Sequence, residues 1–183
     1  MSERYEVRLA GKGGQGMILA GIILAEAAIL DGKNAAQTQS YGPEARGGAS
    51  RSEVVISDGE IDYPKVTQAD ILLCMSQEAC DRYFHDLKQQ GLLIADAVHV
   101  ERMPTSRAVA VPLTQWAEEA TGRRITASVV ALGFLAGLTG LVSRQAMEAA
   151  VRAHVPPGTE EMNLRALAVG FEQAEQFIRS QSK

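Results

Sequence analysis

The chain has 183 residues, which is enough for one hydrophobic core and short for two domains. Apolar residues make up 46% and charged residues 22%, as in an ordinary globular protein, and the formal net charge is -4. This mild acidity argues against nucleic acid as the main partner, because a phosphate backbone requires a basic surface. The N-terminus lacks the apolar stretch of a secretory signal, and Cys74 and Cys80 form no metal-binding motif. We therefore expect a reduced, cytoplasmic chain with both cysteines buried.

The first part of the sequence alternates between strand-like and helical patterns. A strand is predicted over Tyr5–Ala10, followed by a glycine-rich turn and a helix over Met17–Asp31, with Gly32 as its C-terminal cap. Further strands are predicted over Asn34–Gln39, Ser52–Ser57, Ile61–Tyr63, Ile71–Met75, Leu92–Asp96 and Ala108–Pro112. The turn signal Asp58-Gly59 predicts a β-hairpin between the second and third of these strands. A helix is predicted over Gln77–Gln90.

From Leu113 onward the pattern is helical. Helices are predicted over Leu113–Thr121, Thr126–Leu138, Ser143–His154 and Met162–Arg179. The stretch Ile125–Val142 is the sole membrane candidate, but its polar residues and glycines fit a buried core helix better. The whole chain, residues 1–183, therefore predicts a single-domain α/β protein. We expect a Rossmann-like open sheet, mostly parallel with a β-hairpin, and a helical C-terminal third.

The turn after the first strand, Gly11-Lys12-Gly13-Gly14-Gln15-Gly16, fits the pattern GxGxxG. Glycines let a backbone approach an anion closely, and the helix that follows presents unpaired N–H groups and a partial positive charge. Lys12 adds a point charge that suits a phosphate. Taken alone, the pattern is equally compatible with a tight turn that binds nothing, but four glycines in six residues favour a ligand.

A nicotinamide dinucleotide fits this turn poorly. Such a site requires Asp or Glu at the end of the second strand, where it binds the ribose hydroxyls. Here the strand ends in Gln37-Thr38-Gln39-Ser40, Asp31 precedes the strand, and Glu44 follows in the next loop. The sequence therefore favours another phosphate carrier, or none.

A second unusual segment, Ser40-Tyr41-Gly42-Pro43-Glu44-Ala45-Arg46-Gly47-Gly48, follows the second strand. Loops after the carboxyl ends of strands line the ligand crevice of an open α/β sheet, so we expect this loop beside the glycine turn. Tyr41, Glu44 and Arg46 are its candidate contacts. A surface loop with an internal Glu44–Arg46 contact is the alternative.

Ser76 and Gln77 follow the predicted strand Ile71–Met75. Ser76 suits the N-cap of the next helix, which explains the residue types without any ligand. A place in the same ligand crevice is equally compatible, because these residues also follow a strand's carboxyl end.

Other polar residues carry weaker signals. The pair Arg123-Arg124 suits a negatively charged partner or a phosphate, although a solvated charge pair is the simpler interpretation. His85, His99 and His154 lack metal-ligand spacing and are interpreted as structural or exposed.

In their order and spacing, five segments resemble the gamma subunit of the 2-oxoacid:ferredoxin oxidoreductases. They are residues 11–16, 38–48, 52–57, 61–64 and 75–79. The resemblance extends over essentially the whole chain. The form Ser-Tyr-Gly-Pro-Glu-x-Arg-Gly-Gly at residues 40–48 is most similar to the 2-oxoglutarate branch.

The resemblance implies a non-catalytic subunit of an enzyme that converts 2-oxoglutarate, coenzyme A (CoA) and oxidised ferredoxin to succinyl-CoA, CO2 and reduced ferredoxin. It implies that alpha and beta subunits, with a delta subunit as a further candidate, carry thiamine diphosphate, magnesium and iron–sulfur clusters, none of which this chain binds tightly. It also implies that this chain helps to bind or position CoA. The candidate contacts are Gly11, Lys12, Gly13, Gly14, Gln15, Gly16, Ser40, Tyr41, Glu44, Arg46, Gly47, Gly48, Ser76 and Gln77. A nicotinamide-binding oxidoreductase domain and a purely structural assembly subunit are the alternatives.

Overall fold

The computed structural model describes residues 3–41 and 49–183, which form a six-stranded sheet and six α-helices. The strands are β1 (Arg4–Lys12), β2 (Asn34–Tyr41), β3 (Ala49–Ser57), β4 (Ala69–Cys74), β5 (Leu87–Asp96) and β6 (Val109–Val111). The helices are α1 (Met17–Leu30), α2 (Gln77–Tyr83), α3 (Leu113–Thr121), α4 (Ala127–Thr139), α5 (Arg144–His154) and α6 (Glu160–Gln181). Short 3-10 helices at Phe84–Asp86 and Arg124–Thr126 precede β5 and α4.

The strand order in the sheet is β2-β3-β1-β4-β5-β6. Strands β1, β4, β5 and β6 pair in parallel, whereas β3 is antiparallel to both of its neighbours, β1 and β2. Strand β3 is therefore the one strand of the described sheet that runs against the others. The α/β class, the mostly parallel open sheet and the helical C-terminal third are all confirmed.

Strand β1 is buried on both faces, with alternate residues pointing to different cores. Val7 and Leu9 are wholly buried against α1 and the C-terminal helices, as their spacing predicts. Ala10 lies in a smaller core on the other face, against α2. Gly21 brings α1 close to the sheet, because a Cβ atom there would lie 1.8 Å from Ser52 Oγ.

Helix α4 is the buried core helix expected within Ile125–Val142, since all of its residues from Ala127 to Ala136 are buried. It crosses α6 at Gly133 and Gly170, where the two backbones are in direct contact. Among the described residues, no helix combines the length and apolarity needed to cross a membrane.

The prediction of a hairpin at Asp58-Gly59 was wrong. Strand β3 pairs along its length with both β1 and β2, so no edge is open for a return strand over Ile61–Tyr63. Residues 58–68 contain no strand. The antiparallel strands that follow one another in the chain are instead β2 and β3, and β3 is inserted between β1 and β2, antiparallel to both.

The predicted helix over Gln77–Gln90 was too long. Helix α2 ends at Tyr83, and residues 87–90 begin β5, with Leu87 opposite Ala69 of β4 across an irregular register. This pairing at Leu87, which resumes at Leu92, overrides the local helical preference of residues 87–90. The caps were predicted correctly: Gly32 has a φ of 84°, and the Ser143 side chain accepts a hydrogen bond from Ala146 N–H.

Candidate functional site

The glycine turn, the start of α2 and the turn after β5 lie at one edge of the sheet. This is the edge at which β1, β4 and β5 end, because these strands are parallel. From β1 the chain crosses through α1 to β2 on one side of the sheet, and from β4 it crosses through α2 to β5 on the other. The carboxyl ends of β1 and β4 therefore form a topological switch point, the usual crevice for ligands in open α/β sheets.

The Gln15 side chain fixes the shape of the glycine turn. Its Oε1 accepts a hydrogen bond from Lys12 N–H at 2.6 Å, and its Nε2 donates to the Met75 carbonyl at 3.0 Å. Gln15 thus ties the end of β1 to the end of β4. Gly11 leaves room for this arrangement, since a Cβ atom there would lie 2.5 Å from Gln15 Oε1. These contacts give Gln15 a structural role, and direct contact with a ligand stays a prediction.

The remaining glycines shape the surface of the turn. Gly14 and Gly16 have φ values of 87° and 80°, a region that other residues rarely adopt. A Cβ atom added at Gly13 would have no other atom within 4 Å, and the φ of Gly13 is not positive. Lys12, Gly13 and Gly14 are all exposed, so the turn presents its backbone outward.

A cavity of about 300 Å³ lies on one side of the turn. Its walls are Gly13, Gly14, Gly16, Met17, Ile18, Leu19, Ser50 and Ile125. Helix α1 begins beside this cavity, after Gly16, and Gly16 provides no side-chain cap for its first-turn N–H groups. Such a helix end attracts an anion.

A second cavity of about 220 Å³ lies on the other side of the turn. Its walls are Gly14, Gln15, Met75, His99, Thr114, Arg124, Ile125 and Ala127. Gly14 and Ile125 are common to both cavities, and Ile125 is a half-exposed apolar side chain between them. The glycine turn is therefore flanked by two concave surfaces.

The second cavity is lined by His99 and Thr114, which belong to a polar cluster that the sequence analysis missed. Asp96 ends β5 and is fully buried, and its carboxylate contacts His99 Nδ1 at 3.0 Å and the Thr114 hydroxyl. His99, interpreted from the sequence as structural or exposed, is about one-third exposed at the cavity wall. The position of Asp96 at the carboxyl end of a predicted strand is the signal that would have found this cluster.

Ser76 and Gln77 have structural roles at the end of β4. The Ser76 hydroxyl caps α2 by accepting from Ala79 N–H at 3.2 Å. Gln77 Oε1 accepts from the N–H groups of Glu101 and Arg102, and its Nε2 donates to the Arg102 carbonyl at 3.0 Å. Neither residue lines the two cavities beside the turn, and their contact with a ligand stays a prediction.

Asp31, the nearest acidic residue to the second strand, is held away from this edge. Its carboxylate accepts hydrogen bonds from Ser143 N–H at 2.6 Å and from the Ser143 hydroxyl at 2.7 Å. Asp31 therefore ties the end of α1 to the start of α5. This contact reinforces the argument against a dinucleotide site.

The second predicted element of the site is only partly described. The backbone of Ser40 and Tyr41 belongs to β2, with Tyr41 opposite Ser50, a wall residue of the larger cavity. The side chains of Ser40 and Tyr41 lie outside the described part of the structure. The same holds for the candidate contacts Glu44, Arg46, Gly47 and Gly48.

Cys74 and Cys80 are free and wholly buried, as predicted. A hydrogen bond to Cys80, together with burial, raises the pKa of the Cys74 thiol well above its ordinary value. An iron–sulfur cluster requires four ligands, usually thiolates. In residues 3–41 and 49–183, no three His, Cys, Asp or Glu side chains are grouped to hold a metal ion. The described residues therefore do not fit a cluster site.

The fold and the site define an open α/β protein with a glycine-rich turn at the switch point of its sheet. The chain belongs to the pyruvate ferredoxin/flavodoxin oxidoreductase family, whose model matches residues 6–173. It is 52% identical over 179 residues to the 2-oxoglutarate synthase subunit KorC of Methanocaldococcus jannaschii, covering 95% of this chain and 96% of that protein. The resemblance drawn from the sequence is thereby confirmed.

Two solved structures show the same fold. The keto/oxoacid ferredoxin oxidoreductase gamma subunit from Geobacter sulfurreducens has a TM-score of 0.86 and 50% identity, covering 95% of this chain and 98% of that one. The 2-oxoglutarate:ferredoxin oxidoreductase from Magnetococcus marinus, solved with 2-oxoglutarate, CoA and succinyl-CoA bound, has a TM-score of 0.84 and 21% identity. The match covers 95% of this chain and 31% of the Magnetococcus chain. This chain is a gamma-type subunit of the oxidoreductase family.

Proposed function

We propose that this chain is the gamma subunit of a 2-oxoglutarate:ferredoxin oxidoreductase and that its glycine turn forms part of the CoA site. The complex would convert 2-oxoglutarate, CoA and oxidised ferredoxin to succinyl-CoA, CO2 and reduced ferredoxin. The choice of 2-oxoglutarate is supported by the 52% identity to a KorC subunit across nearly the full length of both proteins. The Magnetococcus relative supports a role in CoA binding, because it was solved with CoA bound.

The observation that carries the CoA role is the exposed glycine turn between two cavities at the switch point. CoA carries a diphosphate, and a diphosphate is recognised by backbone N–H groups at a helix N-terminus. Gly13 and Gly14 let a ligand approach the turn closely, because neither has a side chain to obstruct it. Lys12 would add a positive charge on the exposed side of the turn.

Thiamine diphosphate, magnesium and the iron–sulfur clusters belong to the partner subunits in this proposal. The described residues of this chain offer no group of metal ligands, and its two cysteines are buried in separate elements. In the complex, this chain would hold CoA at the glycine turn. The alpha and beta subunits, and a delta subunit where present, would supply the reacting centre and the path of electrons to ferredoxin.

The test uses Gly13→Ala in the reconstituted complex. The added methyl group has no neighbour within 4 Å, and Gly13 has no positive φ, so folding and assembly should be unchanged. We expect a several-fold rise in KM for CoA, with KM for 2-oxoglutarate unchanged, because the methyl group obstructs the ligand and nothing else. Unchanged KM values, or activity that does not depend on this subunit, would contradict the proposal.

A matched pair of variants separates strain from ligand contact. Gly14 and Gly32 have φ values of 87° and 84° and lie near opposite ends of α1. A Cβ atom added at either position would have no other atom within 4 Å. Alanine at either position should cost about 1 kcal/mol of stability through backbone strain. Only Gly14→Ala should raise KM for CoA. Loss of assembly in Gly14→Ala without a change in KM would favour the purely structural alternative.

A nicotinamide site is the weaker alternative. Asp31 is engaged by Ser143, and β2 ends without an acidic residue. We expect no binding of NADH to the full chain by calorimetry at concentrations at which CoA binds. Tight NADH binding would reverse this assignment.

A further inference from the structure

The cluster of Asp96, His99 and Thr114 has a fixed geometry. Asp96 Oδ1 accepts from the N–H groups of Val98 and Thr114, and Oδ2 accepts from the Thr114 hydroxyl and His99 Nδ1. The Thr114 N–H belongs to the first turn of α3, whose N-cap residue Pro112 provides no side-chain acceptor, so Asp96 provides one instead. The buried carboxylate is therefore satisfied by donors on all sides.

The tautomer of His99 follows from this arrangement. A carboxylate only accepts hydrogen bonds, so Nδ1 of His99 must carry a proton that it donates to Asp96. Nε2 lies on the other edge of the ring, and no hydrogen bond within the described residues engages it. Because His99 lines the second cavity, this nitrogen is left for a group that enters there. An anion would be bound by the doubly protonated ring, whose charge Asp96 offsets.

We propose that His99, oriented by Asp96, is a positioning residue that binds a phosphate group beside the glycine turn. Besides His99, the polar walls of the cavity are Gln15, Thr114 and Arg124, and Gly14 of the turn contributes its backbone. The guanidinium of Arg124 pairs with exposed Glu118. The remaining walls are largely apolar and include Met75 and Ile125. A phosphate suits this set because Arg124 and protonated His99 both donate to it and both carry positive charge.

The size of the cavity limits the ligand. At about 220 Å³ it is smaller than a typical site for a whole drug-sized ligand, which occupies roughly 300–1,000 Å³. It suits one phosphate or diphosphate group of a longer molecule, with the rest lying across the turn. The identification of that molecule as CoA rests on the proposed function, but the phosphate site itself does not require it.

The experiment records the imidazole nitrogen resonances of His99 in the full chain by NMR. Inorganic diphosphate is titrated in one arm and CoA in the other. We expect diphosphate to shift Nε2 of His99 toward its protonated position while Nδ1 moves little, because Nδ1 is already bonded to Asp96. His85 is the internal control, because it is exposed and precedes β5 at the opposite edge of the sheet.

Substitutions give a second, independent readout. His99→Leu removes the donor, and we expect about tenfold weaker diphosphate binding, the size of one charge-assisted hydrogen bond. His99→Gln keeps an N–H near the position of Nε2 and should recover part of this loss. His85→Gln should have no effect. Asp96→Asn should weaken binding through the loss of ring orientation, but the variants of His99 decide the test if Asp96→Asn fails to fold.

The outcomes separate the two proposals. Diphosphate that shifts His99 without any CoA binding would support the phosphate site and overturn the CoA role. CoA that binds while His99 stays unshifted, with His99→Leu unchanged, would overturn the phosphate site and leave the CoA role standing. Neither ligand binding would overturn both.

Discussion

Replacing Gly170 with alanine should force helices α4 and α6 apart. A Cβ atom at Gly170 would lie 2.2 Å from the Val130 carbonyl oxygen and 2.7 Å from Phe134 N, and ordinary contact begins near 3.4 Å. Both neighbours are backbone atoms of α4, so no side chain can rotate away. The helices must separate by about 1 Å, which disturbs the close packing on which this crossing depends.

The expected cost can be worked out from two opposing effects. Overpacking of a close contact costs typically 1–3 kcal/mol, and a contact with backbone lies at the upper end, about 3 kcal/mol. Alanine in a helix interior is favoured over glycine by about 1 kcal/mol. The net loss is therefore about 2 kcal/mol. For a chain of this length this corresponds to a fall in Tm of about 4–8 °C.

Thermal unfolding of the full chain by circular dichroism measures this change. Gly133→Ala should behave similarly, because its Cβ atom would lie 2.4 Å from the Leu167 carbonyl oxygen. Gly140→Ala is the control at the end of the same helix, with open space and a φ of 68°, and should cost only about 1 kcal/mol. A Tm for Gly170→Ala equal to or above that of the unchanged protein would show that the crossing is not as tight as described.

Two further predictions concern polar contacts that fix the sheet and its helices. Glu53→Gln should lower the free energy of unfolding by about 3 kcal/mol, measured by urea denaturation. It removes the buried carboxylate 3.2 Å from the Arg8 guanidinium and leaves that guanidinium only the exposed carboxylate of Asp86. The double variant Arg8→Met/Glu53→Leu should recover most of this loss, and a double variant as unstable as the single would contradict the argument. Asp31→Ala should lower Tm by about 2–4 °C by removing the acceptor of both Ser143 hydrogen bonds. Asp31→Asn, which keeps one acceptor oxygen, should lose about half as much, and equal losses would show that charge rather than hydrogen bonding matters there.

Much of the fold could be predicted because its signals are local. Gly32 and Ser143 were correctly predicted as caps, since a left-handed backbone or an N-cap hydroxyl depends on one residue and its neighbours. The prediction of a core helix within Ile125–Val142 was also correct, because an apolar stretch with internal polar residues and glycines fits a buried helix better than a membrane-spanning one. The glycine turn was correctly placed between β1 and α1 for the same reason.

The errors arose where strand pairing decides the outcome. Nothing local in Ala49–Ser57 indicates that it lies between β1 and β2, although this position excludes the predicted return strand at Ile61–Tyr63. Residues 87–90 have a helical pattern by themselves, but they belong to β5, which begins where Leu87 pairs with Ala69 of β4. Pairing partners distant in the chain are not encoded in any short window of sequence.

The candidate site divides in the same way. The sequence by itself determined the glycine turn, its place after the first strand and the family, because each depends on residue types at fixed spacing. Only the tertiary structure decided what surrounds the turn, where Gln15 bonds to Met75 and His99 lines a cavity after the end of β5. It also decided that Asp31 is engaged by Ser143 at the other end of α1. Gln15 and Met75 are 60 positions apart in the chain, and Asp31 and Ser143 are 112 positions apart. The existence of these contacts follows from the order of the strands, which is settled by the packing of the whole sheet.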